Sequence, residues 1–193
     1  MNTPVYDFLI QYAERDPVRL HMPGHKGRFG APALQCATTL DLTEITDADS
    51  LFEAEGILAE SERNAASLYG TAYTFYSCGG STLCIQTMLL LMKQQGRAVL
   101  AARNVHRAFL NTCVLLDLPV QWIYPRESDG ILSGAYDLAD FEAALQQQTR
   151  PACVYVTSPD YLGRMADIAG LAELCHRYHA CLLYTSPSPR DTR

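Results

Sequence analysis

Residues 98–124 read AVLAARNVHRAFLNTCVLLDLPVQWIY. Ala98–Ala102 is a short apolar run that reads as a strand. Val105–Leu116 then places apolar residues at helical spacing, and Val120–Tyr124 returns to a β-branched and aromatic run. Strand, helix and strand in such close succession predict two parallel strands joined by a helix.

Working outward, the alternation continues in both directions. Upstream, Tyr73–Ser77 reads as a strand and Cys78-Gly79-Gly80-Ser81-Thr82 as a turn. Leu83–Gln95 reads as a helix, apolar nearly all round and therefore expected to be buried, with Gly96 ending it. Residues 58–69 predict a further helix that stops at Gly70. Downstream, a polar loop through Asp129-Gly130 leads to a helix at Leu138–Gln147. A strand at Ala152–Thr157, a helix at Asp167–Tyr178 and the start of a strand at Ala180–Leu183 follow. The pattern predicts an α/β fold with a mostly parallel sheet flanked by helices.

Both ends differ from this middle. Residues 3–15 predict an amphipathic helix with Val5, Phe8, Leu9 and Tyr12 on one face, and residues 17–57 an irregular arm. The chain therefore divides into a helix and arm over 1–57, a sheet-bearing domain over 58–183, and a tail over 184–193. The composition changes abruptly after Leu183, and Pro187 and Pro189 lack the donor a central strand needs. The tail is expected to be disordered or non-native, to pack poorly and to leave the last strand incomplete.

The 193 residues are 48% hydrophobic and 19% charged, enough to bury a core. The net charge of −6, with no basic stripe, argues against nucleic acid as a partner. No run reaches the ~18 apolar residues of a membrane helix, and the start does not read as a signal peptide. A cytoplasmic location is the expectation. Seven cysteines without a CxxC pair are expected to be reduced and buried, with no metal site.

Ligands of open α/β sheets bind beyond the carboxyl ends of the strands, which directs attention to the turns at 78–82, 103–106 and 158–163. Gly79-Gly80-Ser81-Thr82 precedes a helix, where backbone N–H groups and the helix dipole attract anions. It suits a phosphate, although simple helix capping would use the same residues. No lysine follows as in a Walker loop, and the GxGxxG spacing is absent. His106 opens the next helix, as a cap or as a ring that stacks on a planar cofactor or transfers a proton. His21-Met22-Pro23-Gly24-His25-Lys26-Gly27 is either a rigid turn or a basic loop at a site mouth. The acids of 42–49 form a solvated face or attract a cation. Ser158-Pro159-Asp160-Tyr161 brings hydroxyls and a carboxylate to the same edge.

Together HMPGHKG (21–27), LDLTEITDADSL (40–51), SLYGTAYTFYSCGGSTLCIQTML (67–89), ARNVHRAFLN (102–111) and TSPDYLGRMADIAGLAELCHRYHACLL (157–183) resemble the Orn/Lys/Arg decarboxylase family of fold type I pyridoxal-phosphate enzymes. The resemblance spans about residues 3–183. It implies part of the large domain of that fold, with pyridoxal 5'-phosphate as cofactor and arginine, lysine or ornithine as substrate. It also implies a homo-oligomer when full length. Gly80, Ser81 and Thr82 match the loop that holds the cofactor phosphate. His106 matches the catalytic histidine that stacks on the ring. Ser158 and Tyr161 lie in the loop beside the cofactor.

After Leu183 the resemblance stops: Tyr184 and Thr185 stand where the family has a valine and the aspartate that pairs with the ring nitrogen. Neither Lys26 nor Lys93 matches the family's Schiff-base lysine. The 193 residues alone are therefore expected to be inactive. Another fold type I activity, such as an aminotransferase or carbon–sulfur lyase, and a non-catalytic interaction module are the alternatives.

Overall fold

The computed structural model describes residues 2–28, 30–128 and 134–185, which form two compact units, Met1–Tyr76 and Ser77–Arg193. The contact boundary thus falls at 76/77, where the sequence reading drew it at 57/58.

In the first unit α1 (Pro4–Glu14) packs on α3 (Ile57–Tyr69), and a short helix α2 (Gln35–Leu40) interrupts the arm that was expected to be irregular. Gly70, left-handed at φ 66°, caps α3 as its sequence suggests. Few residues are buried, and polar side chains close the loops instead. The Arg19 guanidinium donates to the carbonyls of Thr38, Thr39 and Asp41 at the end of α2 and lies 5.2 Å from the Tyr12 ring centre. Asp49 accepts the N–H groups of Ser50, Glu55, Gly56 and Leu58, capping α3 across its loop.

The second unit begins with α4 (Gly80–Gln94), β1 (Ala98–Ala102), α5 (Arg107–Leu115) and β2 (Val120–Ile123). A two-stranded hairpin of β3 (Glu127–Ser128) and β4 (Gly134–Ala135) precedes α6 (Leu138–Gln146) and β5 (Ala152–Thr157). It closes with α7 (Ile168–Arg177) and β6 (Cys181–Thr185). The expected Asp129-Gly130 loop lies outside the described residues. The main sheet is parallel throughout, in the order β2-β1-β5-β6. On one face Leu100, Ala102, Val154 and Val156 pack against Phe141 of α6 and Leu171 and Leu174 of α7. On the other, Val99, Ala101, Cys153 and Tyr155 meet Ile85 and Leu89 of α4 and Phe109 of α5. All five residues of β1 are buried, which explains its unbroken apolar sequence.

Three expectations need correction. Tyr73–Ser77 is not a strand. Its alternation reflects an extended segment in which Tyr73 and Phe75 stack on each other (ring centres 6.3 Å apart), and the Tyr76 N–H donates to Glu62 rather than to a neighbouring strand. Helix α4 is not buried all round. It is covered on the face of Ile85, Leu89 and Met92, while Leu83, Leu90 and Leu91 stay exposed. Finally, β6 does not stop at Leu183: Tyr184 and Thr185 continue it in register with Val156 and Thr157. The prolines that argued against a strand begin only at Pro187, outside the described residues.

Candidate functional site at the carboxyl edge of the sheet

Chain order dictates where this sheet opens. From β1 the chain moves to β2 on one side, then returns past β1 to β5 and β6 on the other. The direction reverses between β1 and β5, and the crevice beyond their carboxyl ends is where such sheets bind ligands. Helix α4 enters β1 through the tight turn Gln95–Arg97, with Gly96 left-handed at φ 67°. It therefore runs back along the strand, its N-terminus toward the carboxyl edge. Helix α5 leaves β1 at that edge, and the Lys93 Nζ donating to the Leu116 carbonyl ties the far ends of the two helices together. Topology thus brings Gly80, Ser81, Thr82, His106 and Ser158 to one edge.

Gly79 and Gly80 shape the start of α4. Gly79 is near φ −83°, ψ 7°, and Gly80 follows at φ 66°. A right-handed residue followed by a left-handed one turns successive N–H groups to one side, forming an anion-binding concavity. A Cβ on Gly79 would lie 2.6 Å from Leu83 side-chain carbons, and a Cβ on Gly80 would strain its left-handed backbone. No side-chain hydrogen bond caps α4 at Gly79, and Ser81 and Thr82 beside it are exposed. These residues fit a phosphate.

His106 is the N-cap of α5, and its Nδ1 accepts the Ala108 N–H at 3.1 Å. In the neutral ring the proton is therefore on Nε2. The cap fixes an exposed imidazole at the edge. Ser158 is buried; its Oγ accepts the Ala166 N–H at 3.0 Å and its own N–H donates to Thr185 Oγ1. Tyr161 points to solvent, 83% exposed.

Sequence reasoning undervalued Asn104, Tyr136 and Asp160. The Asp160 carboxylate accepts the N–H groups of Leu162 and Arg164 and meets Asn104 Nδ2 at 3.5 Å, while the Asn104 N–H donates to the Tyr136 hydroxyl. This network joins the loops after β1 and β5 and borders a cavity of about 160 Å³ on the α6–α7 side. An aspartate ahead of a Leu-Gly turn was the available signal. The HMPGHKG loop, by contrast, turns inward within its own unit. His25 meets Asp41 at 3.1 Å and Lys26 Nζ donates to the His21 carbonyl.

Nucleophilic cysteine chemistry is disfavoured in the core. Burial pushes Cys153 up to about 12 and Cys113 and Cys175 to about 11, leaving thiols rather than thiolates at neutral pH. Among the described residues no group of three His, Cys, Asp or Glu side chains could hold a metal ion, and no helix is long and apolar enough to cross a membrane.

The family model described as Orn/Lys/Arg decarboxylase, major domain, matches residues 3–187. An arginine decarboxylase of Halalkalibacterium halodurans is 31% identical over 182 residues, covering 90% of this chain and 37% of that protein. The arginine decarboxylase of Bacillus subtilis is 29% identical over 188 residues, covering 94% and 38%. The chain thus spans two fifths or less of the length of the curated relatives it matches. Among solved structures, lysine decarboxylase A from Pseudomonas aeruginosa superposes with a TM-score of 0.63 at 23% identity, over 82% of this chain and 24% of that one. A putative L-allo-threonine aldolase from Listeria monocytogenes gives 0.54 at 12%, over 94% and 49%. These likenesses agree on the fold.

Proposed function

The chain belongs to the Orn/Lys/Arg decarboxylase family, and from that premise we propose that it is the cofactor-binding part of a pyridoxal-phosphate-dependent decarboxylase acting on arginine, lysine or ornithine. The observation that carries the reading is the uncapped α4 N-terminus, with its Gly79–Gly80 turn, on the same sheet edge as His106.

In this reading the N–H groups of Gly80, Ser81 and Thr82, with the two hydroxyls, hold the phosphate. His106, its ring fixed through Nδ1, lies against the pyridine ring. Ser158, buried beneath the edge, and Tyr161, open to solvent, flank the same group. When bound, pyridoxal phosphate supplies the electron sink that lets an amino acid lose carbon dioxide. The protein's part is to orient the substrate and to exclude water around the scissile carboxylate. A homo-oligomer in the cytoplasm belongs to the same proposal.

The 193 residues alone are proposed to bind the cofactor without turning over. Lys93 sits about 18 Å from Ser81 along α4 at ~1.5 Å per residue, with its Nζ on the Leu116 carbonyl. Lys26 is engaged within its own loop. The test is carbon dioxide release from arginine, lysine and ornithine with pyridoxal phosphate, by this chain and by a longer polypeptide that contains it. Release by the longer form from one of the three, and none by the short form above free cofactor, is expected. A longer form that binds pyridoxal phosphate yet releases nothing from any of them would refute the decarboxylase reading.

A further inference from the structure

Two of the cysteines share a ladder position. Cys153 of β5 and Cys181 of β6 are direct partners in the parallel pairing, the first pair of that ladder. Both belong to the face of α4 and α5, so their side chains leave the sheet on the same side. Cys113 reaches that face from the helix layer above it, and Cys175 lies on the opposite face of the sheet. Cys153 is fully buried, whereas Cys181 is only partly so. After burial, Cys181 is the strongest influence raising the Cys153 thiol, ahead of Cys113 and Cys175. Ladder partners on neighbouring strands stand about 4.8 Å apart, inside the ~4.4–6.8 Å between Cα atoms that a disulfide bridges.

We propose that Cys153 and Cys181 are a redox-sensitive pair, joined as a reversible disulfide between β5 and β6 by a small hydroperoxide. The step starts at the more accessible sulfur. The Cys181 thiolate attacks hydrogen peroxide; the O–O bond breaks, one oxygen stays on Cys181 Sγ as a sulfenic acid and the other leaves as hydroxide. The Cys153 sulfur then attacks Cys181 Sγ, the S–O bond breaks, and the departing hydroxide takes the Cys153 proton as water. Two thiols are oxidised to one disulfide, and one peroxide is reduced to two waters. Cys153, held as a thiol by burial, resolves the reaction and does not initiate it. The Cβ atoms of ladder partners stand about 4.8 Å apart against about 3.8 Å in a disulfide, so the bond pulls two strands together. Such a strained bond is readily reduced, which makes the staple reversible. Its effect falls on β6, which is at the edge of the sheet among the described residues. The far end of β6 holds Thr185, whose Oγ1 accepts the Ser158 N–H, and a staple at the start of the strand restrains fraying toward that bond.

The experiment treats the folded chain with hydrogen peroxide and maps the products by mass spectrometry after digestion without reductant. The exposed thiols are first removed by Cys36→Ser, Cys78→Ser and Cys84→Ser, so that they form no bonds between chains. The expected result is the loss of two hydrogen atoms per chain, a peptide pair joining Cys153 to Cys181, and return of both thiols with dithiothreitol. Amide exchange at Leu183, Tyr184 and Thr185 should slow several-fold in the oxidised form. Cys181→Ser should abolish the peptide pair while melting like its parent, and so should Cys153→Ala; if the buried alanine variant does not fold, Cys181→Ser decides alone. Cys181 left unreacted, or carried on to a sulfinic acid with no peptide pair, overturns the proposal. So does a bond from either residue to Cys113 or Cys175, or a Cys153–Cys181 bond that appears only in urea. A bond that dithiothreitol cannot reopen under native conditions, or that leaves amide exchange in β6 unchanged, overturns the reversible staple.

Discussion

The two units of this chain are held together by different physics. In the second, β1 and most of β5 are buried on both faces, and the sheet is closed by apolar contact with α4, α5, α6 and α7. In the first, Pro4 and Ala66 are the buried hydrophobic side chains among the described residues, and loops are closed by single polar residues that each collect several backbone groups. Arg19 gathers three carbonyls and Asp49 four N–H groups. A core of this kind distributes its stability over many contacts, whereas a clamp concentrates it in one side chain.

The largest test of that contrast is Phe109→Ala. The ring is fully buried between Tyr155 and Trp122, with centres 4.3 and 6.1 Å away. Its removal should cost about 3–5 kcal/mol, read as a lower urea midpoint in the fluorescence of the lone tryptophan, Trp122. A loss under about 1 kcal/mol would mean that the α5 side of the sheet is not the cooperative core described here.

Gly27→Ala addresses the first unit. Gly27 is left-handed at φ 74°, and a Cβ there would approach the Arg19 guanidinium at 2.5 Å. Strain and displacement of Arg19 should together cost about 1–2 kcal/mol. Faster amide exchange in α2, whose terminal carbonyls Arg19 holds, is the readout. Unchanged exchange would show that the guanidinium does not clamp α2.

The smallest effect should be the acid response of the loop closed by Asp49. Partial burial works to raise its carboxyl, but the N–H groups of Glu55, Ser50, Leu58 and Gly56 outweigh it and hold the group down at about 2, against 3.8 ordinarily. Because the folded value is depressed, its stabilising contribution is complete above 3.8 and disappears as pH falls through about 2. Exchange at those four amides should accelerate across that window, and in Asp49→Asn it should already be fast at neutral pH. A flat profile in the parent would mean that the carboxylate does not secure the loop.

Much of the second unit was legible because its signals are local. Ala98–Ala102 and Ala152–Thr157 are apolar runs bounded by polar turns, and the structure makes each a strand over the same residues. His106 and Asp167 were read as the start of helices, and each caps one with its own side chain. Other features depend on partners remote in sequence. Tyr73–Ser77 has the alternation of a strand, yet no neighbouring strand pairs with it among the described residues. Tyr184 and Thr185 have polar surroundings in sequence, but β5 supplies the ladder that extends β6 through them. The apolar sequence of α4 says that a hydrophobic surface exists, not which part of it meets β1 and α5.

By itself, then, the sequence determined the α/β alternation, the helix ends, the glycines that α4 needs at its start and the family to which the chain belongs. These follow from backbone preference and side-chain period, which act over a few residues. Only the tertiary structure decided the strand order, with its reversal between β1 and β5, and the pairing of Asn104 with Asp160 across that crevice. It also brought the Tyr155 and Thr157 hydroxyls close together, two residues apart on β5 and shut away from solvent. Whether a hydroxyl is satisfied depends on groups that reach it through space, and no local pattern carries that information.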